Sequence, residues 1–252
     1  MKSKKSLFRL DGKVAIVTGA AGAVGAATIE VLIAQGARVA AVDVDGASLR
    51  SVVAKVGDAA KGYVVDLANV AAGKRMIQSV FKHYGRLDIL VNLAGICPRI
   101  PFQKSTPRDW ERLVNVNARS QYFLCQAVCP IMKKMGGGRI INIASTGGRT
   151  GSYDAASIYS GTKGSIVMFT KSIAREVAAD KILVNCIAPG VLDTRMMWNL
   201  PKERIAKLCE QIPLKRLGLP AEIAYCIAFL ASNECSYATG ATFDINGGWL
   251  ML

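Results

Sequence analysis

The chain has 252 residues, 51% of them apolar, and a formal net charge of +14; the length suits one sizeable α/β domain. No run of ~20 apolar residues could cross a membrane, and seven scattered cysteines beside a single histidine offer no metal-ligand spacing. Free thiols point to a reducing, cytoplasmic compartment. The basic charge lacks the arginine-rich, aromatic-interleaved run of a nucleic-acid binder and suits the steering of an anionic substrate or carrier.

Residues 1–9 are basic without an apolar core or cleavage site, so they read as a short solvated arm and not as a secretory signal; residues 10–252 read as a single domain. Val14–Val17 is a buried strand, followed by a glycine-rich turn and a helix through Ala34. Further strands are expected at Arg38–Val42, Tyr63–Val65, Leu87–Val91, Arg139–Ile143, Lys181–Ile187 and Ala241–Ile245, most of them separated by helical patterns. Continuous apolar strands of this kind are buried on both faces, and the intervening helices imply right-handed crossovers. The expected architecture is an α/β fold: one doubly wound, Rossmann-type parallel sheet of about seven strands, helices on both faces.

The first turn, Thr18-Gly19-Ala20-Ala21-Gly22-Ala23-Val24-Gly25, lets backbone approach a pyrophosphate, with the next helix N-terminus supplying N–H donors. The strict G-x-G-x-x-G spacing is absent, so the turn by itself is a weak signal. Asp43, about twenty residues on at the end of the second strand, suits the adenosine ribose hydroxyls. Its charge would repel a 2′-phosphate, and no arginine in the turn would receive one, so NAD is preferred over NADP.

Tyr159 and Lys163 are four residues apart on a helical pattern, which puts them on one face. A phenol is too weak a base at neutral pH, and a neighbouring ammonium favours the phenolate, so this pair can pass a proton to or from a reacting oxygen. Ser145 follows the strand Arg139–Ile143, beyond the carboxyl end where α/β sheets bind ligands, and could hydrogen-bond the substrate oxygen. Asn117 is an amide inside an otherwise apolar helical segment, either holding water beside a lysine or serving as a satisfied core or kink residue.

Taken together, Thr18-Gly19 through Gly25, Asp43, Asp66, Asn92-Leu93-Ala94-Gly95, Asn117, Ser145, Tyr159, Lys163, Pro189-Gly190 with Thr194, and Asp244 with Gly247-Gly248 resemble the short-chain dehydrogenase/reductase family from about Leu10 to the C-terminus. The resemblance implies catalytic roles for Asn117, Ser145, Tyr159 and Lys163. It implies NAD contacts from Gly19, Gly22, Ala23, Val24, Gly25 and Asp43. Asp66 and Leu67 would lie at the adenine, and Asn92, Ala94 and Gly95 beside the adenosine. Pro189, Gly190, Val191 and Thr194 would clasp the nicotinamide carboxamide, and Lys163 would also hold its ribose. Two positions depart from the family pattern: Ala23 replaces the middle glycine of the turn, and Leu93 replaces an asparagine that mostly ties strands together. The resemblance also suggests a homotetramer, built on helices near Gln121–Lys134 and Tyr159–Ala178.

By analogy, residues 195–217 form a lid of one or two helices over the substrate. Candidate substrate residues are Cys97, Arg149, Tyr153, Arg195, Met196 and Trp198, with Arg149 and Arg195 offering a bidentate clamp for an anionic group. The leading expectation is an NAD-dependent dehydrogenase interconverting a secondary alcohol and a ketone, acting on a hydroxy acid, polyol or ring alcohol. The alternative is a 3-oxoacyl-thioester reductase. A non-catalytic NAD-sensing protein is a third reading, which the retained catalytic residues oppose.

Overall fold

A computed structural model describes residues 7–152, 155–194, 197 and 200–252. Seven parallel strands form one sheet in the order β3-β2-β1-β4-β5-β6-β7: β1 Val14–Thr18, β2 Arg38–Asp43, β3 Ala60–Val64, β4 Ile89–Asn92, β5 Gly138–Ile143, β6 Ile182–Pro189 and β7 Thr242–Ile245. The helices are α1 Ala23–Ala34, α2 Gly46–Val56, α3 Val70–Tyr84, α4 Pro107–Leu113, α5 Ser120–Lys134, α6 Gly147–Thr150, α7 Ser157–Val177, α8 Lys202–Gln211 and α9 Pro220–Ala231.

The central strands are buried at nearly every position because each face meets helices. Ala15 and Val17 of β1 pack with Ile29 and Leu32 of α1 and Ile223 and Ile227 of α9. Val14 and Ile16 face the other way, toward Ile77 and Val80 of α3 and Leu124 and Val128 of α5. Alternation along one strand thus feeds two cores.

β3 starts earlier than the expected Tyr63–Val65 and ends one residue sooner. It pairs with β2 alone, from Val39↔Ala60 to Asp43↔Val64, and as an edge strand it carries exposed Lys61 and Gly62, which removes the apolar run that marks the inner strands. β6 runs on to Pro189, whose missing N–H costs the ladder nothing at a strand end. The order of the strands reverses at the paired β1/β4 seam, and ligands of open α/β sheets bind beyond the carboxyl ends there.

Candidate active site

The turn after β1 is built by glycine where backbone meets backbone. Gly19 has a positive φ of 66°, and a Cβ there would lie 2.9 Å from the Ala94 nitrogen; a Cβ on Gly25 would lie 2.2 Å from the Gly19 oxygen. Gly22 is different: a Cβ would meet only the Gly19 oxygen, at 3.4 Å. Ala23, where the family pattern has glycine, is exposed at the start of α1, so the fold accommodates its methyl. No side chain caps α1 at Gly22, leaving first-turn N–H donors for an anionic ligand. One Asp43 oxygen accepts from the Ala21 N–H at 2.9 Å and the other from Asp45 N–H at 3.0 Å, which aims a carboxylate at the mouth of this turn. The uncapped helix start, the side-chain-free turn and the fixed carboxylate fit a dinucleotide.

Asp66 is exposed after β3 and accepts from the Ala68 N–H, while Leu67 beside it is buried. Thr18 Oγ1 accepts from the N–H groups of Leu93 and Ala94, at 3.0 and 3.1 Å, and so stitches β1 to the segment after β4. Leu93 packs against the core of the α1 face, a structural role. Asn92 turns inward: fully buried, its Nδ2 donates to Asn142 Oδ1 at 2.9 Å, and Asn142 in turn donates to Thr170. Its side chain therefore ties β4 to β5 and α7, and Ala94 and Gly95 follow beyond the end of the strand.

α7 carries Tyr159 and Lys163 up to the end of β5. The Lys163 ammonium donates to the Ile143 oxygen at 2.7 Å and lies 5.7 Å from the centre of the Tyr159 ring. Burial lowers Lys163 to about 8, against the opposing pull of Cys186 and Cys97. Burial also pushes the Tyr159 phenol up to about 12, while a hydrogen bond with Ser145 draws it the other way. Gly148 of α6 packs directly on α7, where a Cβ would fall 2.5 Å from the Lys163 carbonyl carbon. That contact sets Ser145, just before α6, opposite Tyr159.

Asn117 sits in a π-helical stretch, Val114–Arg119, between α4 and α5; such bulges recur at functional sites. Its amide is engaged on both ends. Oδ1 accepts from the Ile96 N–H at 2.8 Å, and Nδ2 donates to the Ile96 oxygen and to Thr162 Oγ1. The side chain clamps the wall segment after Gly95 to α7, beside Lys163, and is not itself an open water site.

Pro189 and Gly190 end β6 against β7: the Gly190 N–H donates to the Ile245 oxygen, and a Cβ on Gly190 would sit 2.8 Å from Asn246. Val191 and Thr194 follow on the same side, with the Gly218 N–H donating to the Val191 oxygen at 3.0 Å. Cys97 is half-buried, and burial raises its thiol while Arg99 and Lys163 lower it. Arg149 differs from the expected substrate clamp. Its Nη1 lies 3.3 Å from Asp244 Oδ2, so its charge is already met within the chain. Tyr153, Arg195, Met196 and Trp198 lie outside the described residues, and of the lid α8 is described. One contributor escaped the sequence reading: Gln121, 1% exposed, donates from Nε2 to the same Ile143 oxygen at 3.5 Å. Its position four residues after Asn117, on the same helix face, is the signal that could have found it.

Residues 19–250 match the family model described as Enoyl-(Acyl carrier protein) reductase. The chain is 37% identical over 245 residues to a 3-oxoacyl-[acyl-carrier-protein] reductase of Thermotoga maritima, covering 96% of this chain and 99% of the relative. It is 36% identical to that of Escherichia coli, covering 97% and 100%. Among solved structures, a 3-ketoacyl-(acyl-carrier-protein) reductase from Brucella melitensis complexed with NADH superposes with a TM-score of 0.90 at 32% identity, over 96% and 100% of the two chains. A protein described as a short-chain alcohol dehydrogenase from Sinorhizobium meliloti superposes with a TM-score of 0.92 at 30% identity, over 97% and 98%.

Proposed function

Since the chain belongs to the short-chain dehydrogenase/reductase family, we propose that it reduces a 3-oxoacyl thioester to the corresponding secondary alcohol with NADH. The observation that carries the chemistry is the grouping of half-buried Ser145 and Tyr159 with buried Lys163 beyond β5. A phenol pushed up to about 12 by burial keeps its proton at neutral pH and can give it to a carbonyl oxygen. Ser145 holds that oxygen, and the Lys163 ammonium stabilises the phenolate left behind. Bound nicotinamide supplies the hydride.

For the cofactor, Gly19, Gly22, Ala23, Val24 and Gly25 would receive the pyrophosphate, and Asp43 the adenosine ribose. Asp66 and Leu67 would flank the adenine; the main chain of Asn92, with Ala94 and Gly95, would line the adenosine. Pro189, Gly190, Val191 and Thr194 would hold the carboxamide. The thioester class is supported by relatives of nearly equal length named for that reaction, and the +14 charge suits an acidic carrier. The Brucella structure, named for the same reaction, is complexed with NADH, in keeping with the NAD preference read from Asp43. Asp43 also favours a second reading, NAD-linked oxidation of a hydroxy acid, polyol or ring alcohol. Seven free cysteines fit a cytoplasmic protein, and no helix of the described residues is long and apolar enough to cross a membrane.

Absorbance at 340 nm decides between the readings. Acetoacetyl-CoA with NADH or NADPH is compared with a panel of secondary alcohols and NAD, with Tyr159→Phe beside the parent. Thioester reduction by NADH, abolished in the variant, is the expected result. Alcohol oxidation without thioester reduction would replace it with the second reading.

A further inference from the structure

We infer that Arg149 and Asp244 form a positioning pair whose ion pair anchors the α6 turn, and with it Ser145, to strand β7. The inference rests on the proposed role of Ser145 in the reaction.

The turn is held at its start by the Thr146 N–H, which donates to the Pro189 oxygen at 3.0 Å. α6 spans four residues, Gly147–Thr150, too short to be stable alone. Its local bonds run back to the serine: the Gly147 N–H donates to Ser145 Oγ at 3.1 Å, and the Gly148 N–H to the Ser145 oxygen at 2.9 Å. The direction of the hydroxyl therefore follows the placement of the turn. One side of α6 is fixed by the backbone contact of Gly148 with Lys163. The other is fixed by Arg149, whose Nη1 lies 3.3 and 3.5 Å from the two Asp244 oxygens.

The pair is mostly shielded, with side chains 19% and 22% exposed, so it is less screened than a surface pair. Removing one partner leaves the other charge half-buried and unmatched. Asp244 stands opposite Ala188 in the β6–β7 register, next to the Pro189–Gly190 turn. Just beyond β7, the Gly247 oxygen accepts from the Leu214 N–H at 3.2 Å, and a Cβ on Gly247 would lie 2.8 Å from Ile212. The ion pair thus links the serine turn to the strand on which the nicotinamide clasp and the return of the lid both rest.

The test compares Arg149→Met, Asp244→Asn, Arg149→Lys and the charge swap Arg149→Asp/Asp244→Arg, with Lys133→Gln as a remote control. Amide hydrogen exchange of residues 146–150 is read beside Tm, NADH affinity by fluorescence, and kcat and KM for acetoacetyl-CoA. In Arg149→Met and Asp244→Asn, exchange of the segment should quicken and kcat should fall about tenfold, while KM and NADH affinity change less than about twofold. Arg149→Lys should recover most of both effects, and the swap at least the exchange. Unchanged exchange, or faster exchange with kcat intact, overturns the inference. If the parent turns over nothing, the reading of the function fails; the exchange data still decide whether the pair anchors the turn. If Arg149→Met does not fold, Arg149→Lys and Asp244→Asn carry the comparison.

Discussion

The ammonium of Lys163 donates to the main-chain oxygen of Ile143 across 2.7 Å, which pins α7 to the end of β5 through a buried charge. Burial lowers this lysine to about 8 from an ordinary 10.5, so the folded state penalises the protonated form. Below about 8 both states hold the proton and the penalty is constant; between there and 10.5 the unfolded chain binds more protons, and stability rises with pH. The contribution is on the order of 3 kcal/mol. Lys163→Met should be inactive yet more stable than the parent at pH 7, with the gap closing toward pH 10. Urea midpoints of the two proteins across this range check it. A gap independent of pH would contradict the buried-charge account.

Tyr159→Phe removes the proton donor and leaves the ring packing intact. It should lower kcat by about 10²- to 10⁴-fold with NADH affinity nearly unchanged. In the parent, thioester reduction should hold level through neutral pH and fall in alkali as the phenol ionises. Alcohol oxidation should show the opposite slope. Initial rates in both directions over a pH series give the comparison.

Cofactor choice should turn on two positions. Asp43→Ala removes the carboxylate that would repel a 2′-phosphate and also frees the Ala21 N–H, so NADH efficiency should drop and the NADH/NADPH ratio shrink by about tenfold or more. Gly22→Arg added to it has room, as a Cβ there meets only the Gly19 oxygen; it should raise NADPH efficiency further. A ratio indifferent to Asp43→Ala would remove the argument for NAD.

Glycine contacts should separate sharply under single substitutions. Gly25→Ala and Gly148→Ala each force a methyl within 2.2–2.5 Å of backbone, and each should cost several kcal/mol, roughly as overpacking does. Gly25→Ala should first cost cofactor affinity and Gly148→Ala first cost kcat. Ala23→Gly, at an exposed position, should change NADH affinity less than about twofold beyond its helix penalty. Isothermal titration and thermal melts distinguish the three.

Tyr122 on α5 and Met168 on α7 are 42% and 56% accessible, and the Tyr122 ring stacks edge-on with Phe169 of α7 at 5.7 Å. Light scattering should give a mass near four times 26.8 kDa. Met168→Lys should lower that mass, and a monomeric parent would contradict the homotetramer that the family resemblance implies.

The inner strands were legible because burial on two faces writes an uninterrupted apolar run, and α1 ends at Ala34 as its pattern predicts. The shared face of Tyr159 and Lys163 on α7 was legible from their four-residue spacing. Other features left no such trace. The start of β3 is hidden by Lys61 and Gly62, residues that an edge strand tolerates. The clamp that Asn117 makes on Ile96 and Thr162 joins residues distant in sequence, as does the Arg149–Asp244 pair, 95 positions apart. The inward turn of Asn92 is decided by which face of β4 meets α5, and neighbouring Leu90 and Val91 are equally apolar on both.

The contact of α6 with α7 passes through glycine on both sides, as Gly148 meets Lys163 and a Cβ on Gly164 would lie 3.3 Å from the Gly148 oxygen. Side-chain joints give way by changing rotamer; a backbone joint has none to change. On the α7 side the spacing of Ser145 to Tyr159 and Lys163 is therefore set by main-chain contact, while the Arg149–Asp244 pair holds the other side of the turn. A substitution in the wall after Gly95 could therefore change what the pocket admits and leave the joint between α6 and α7 as it is.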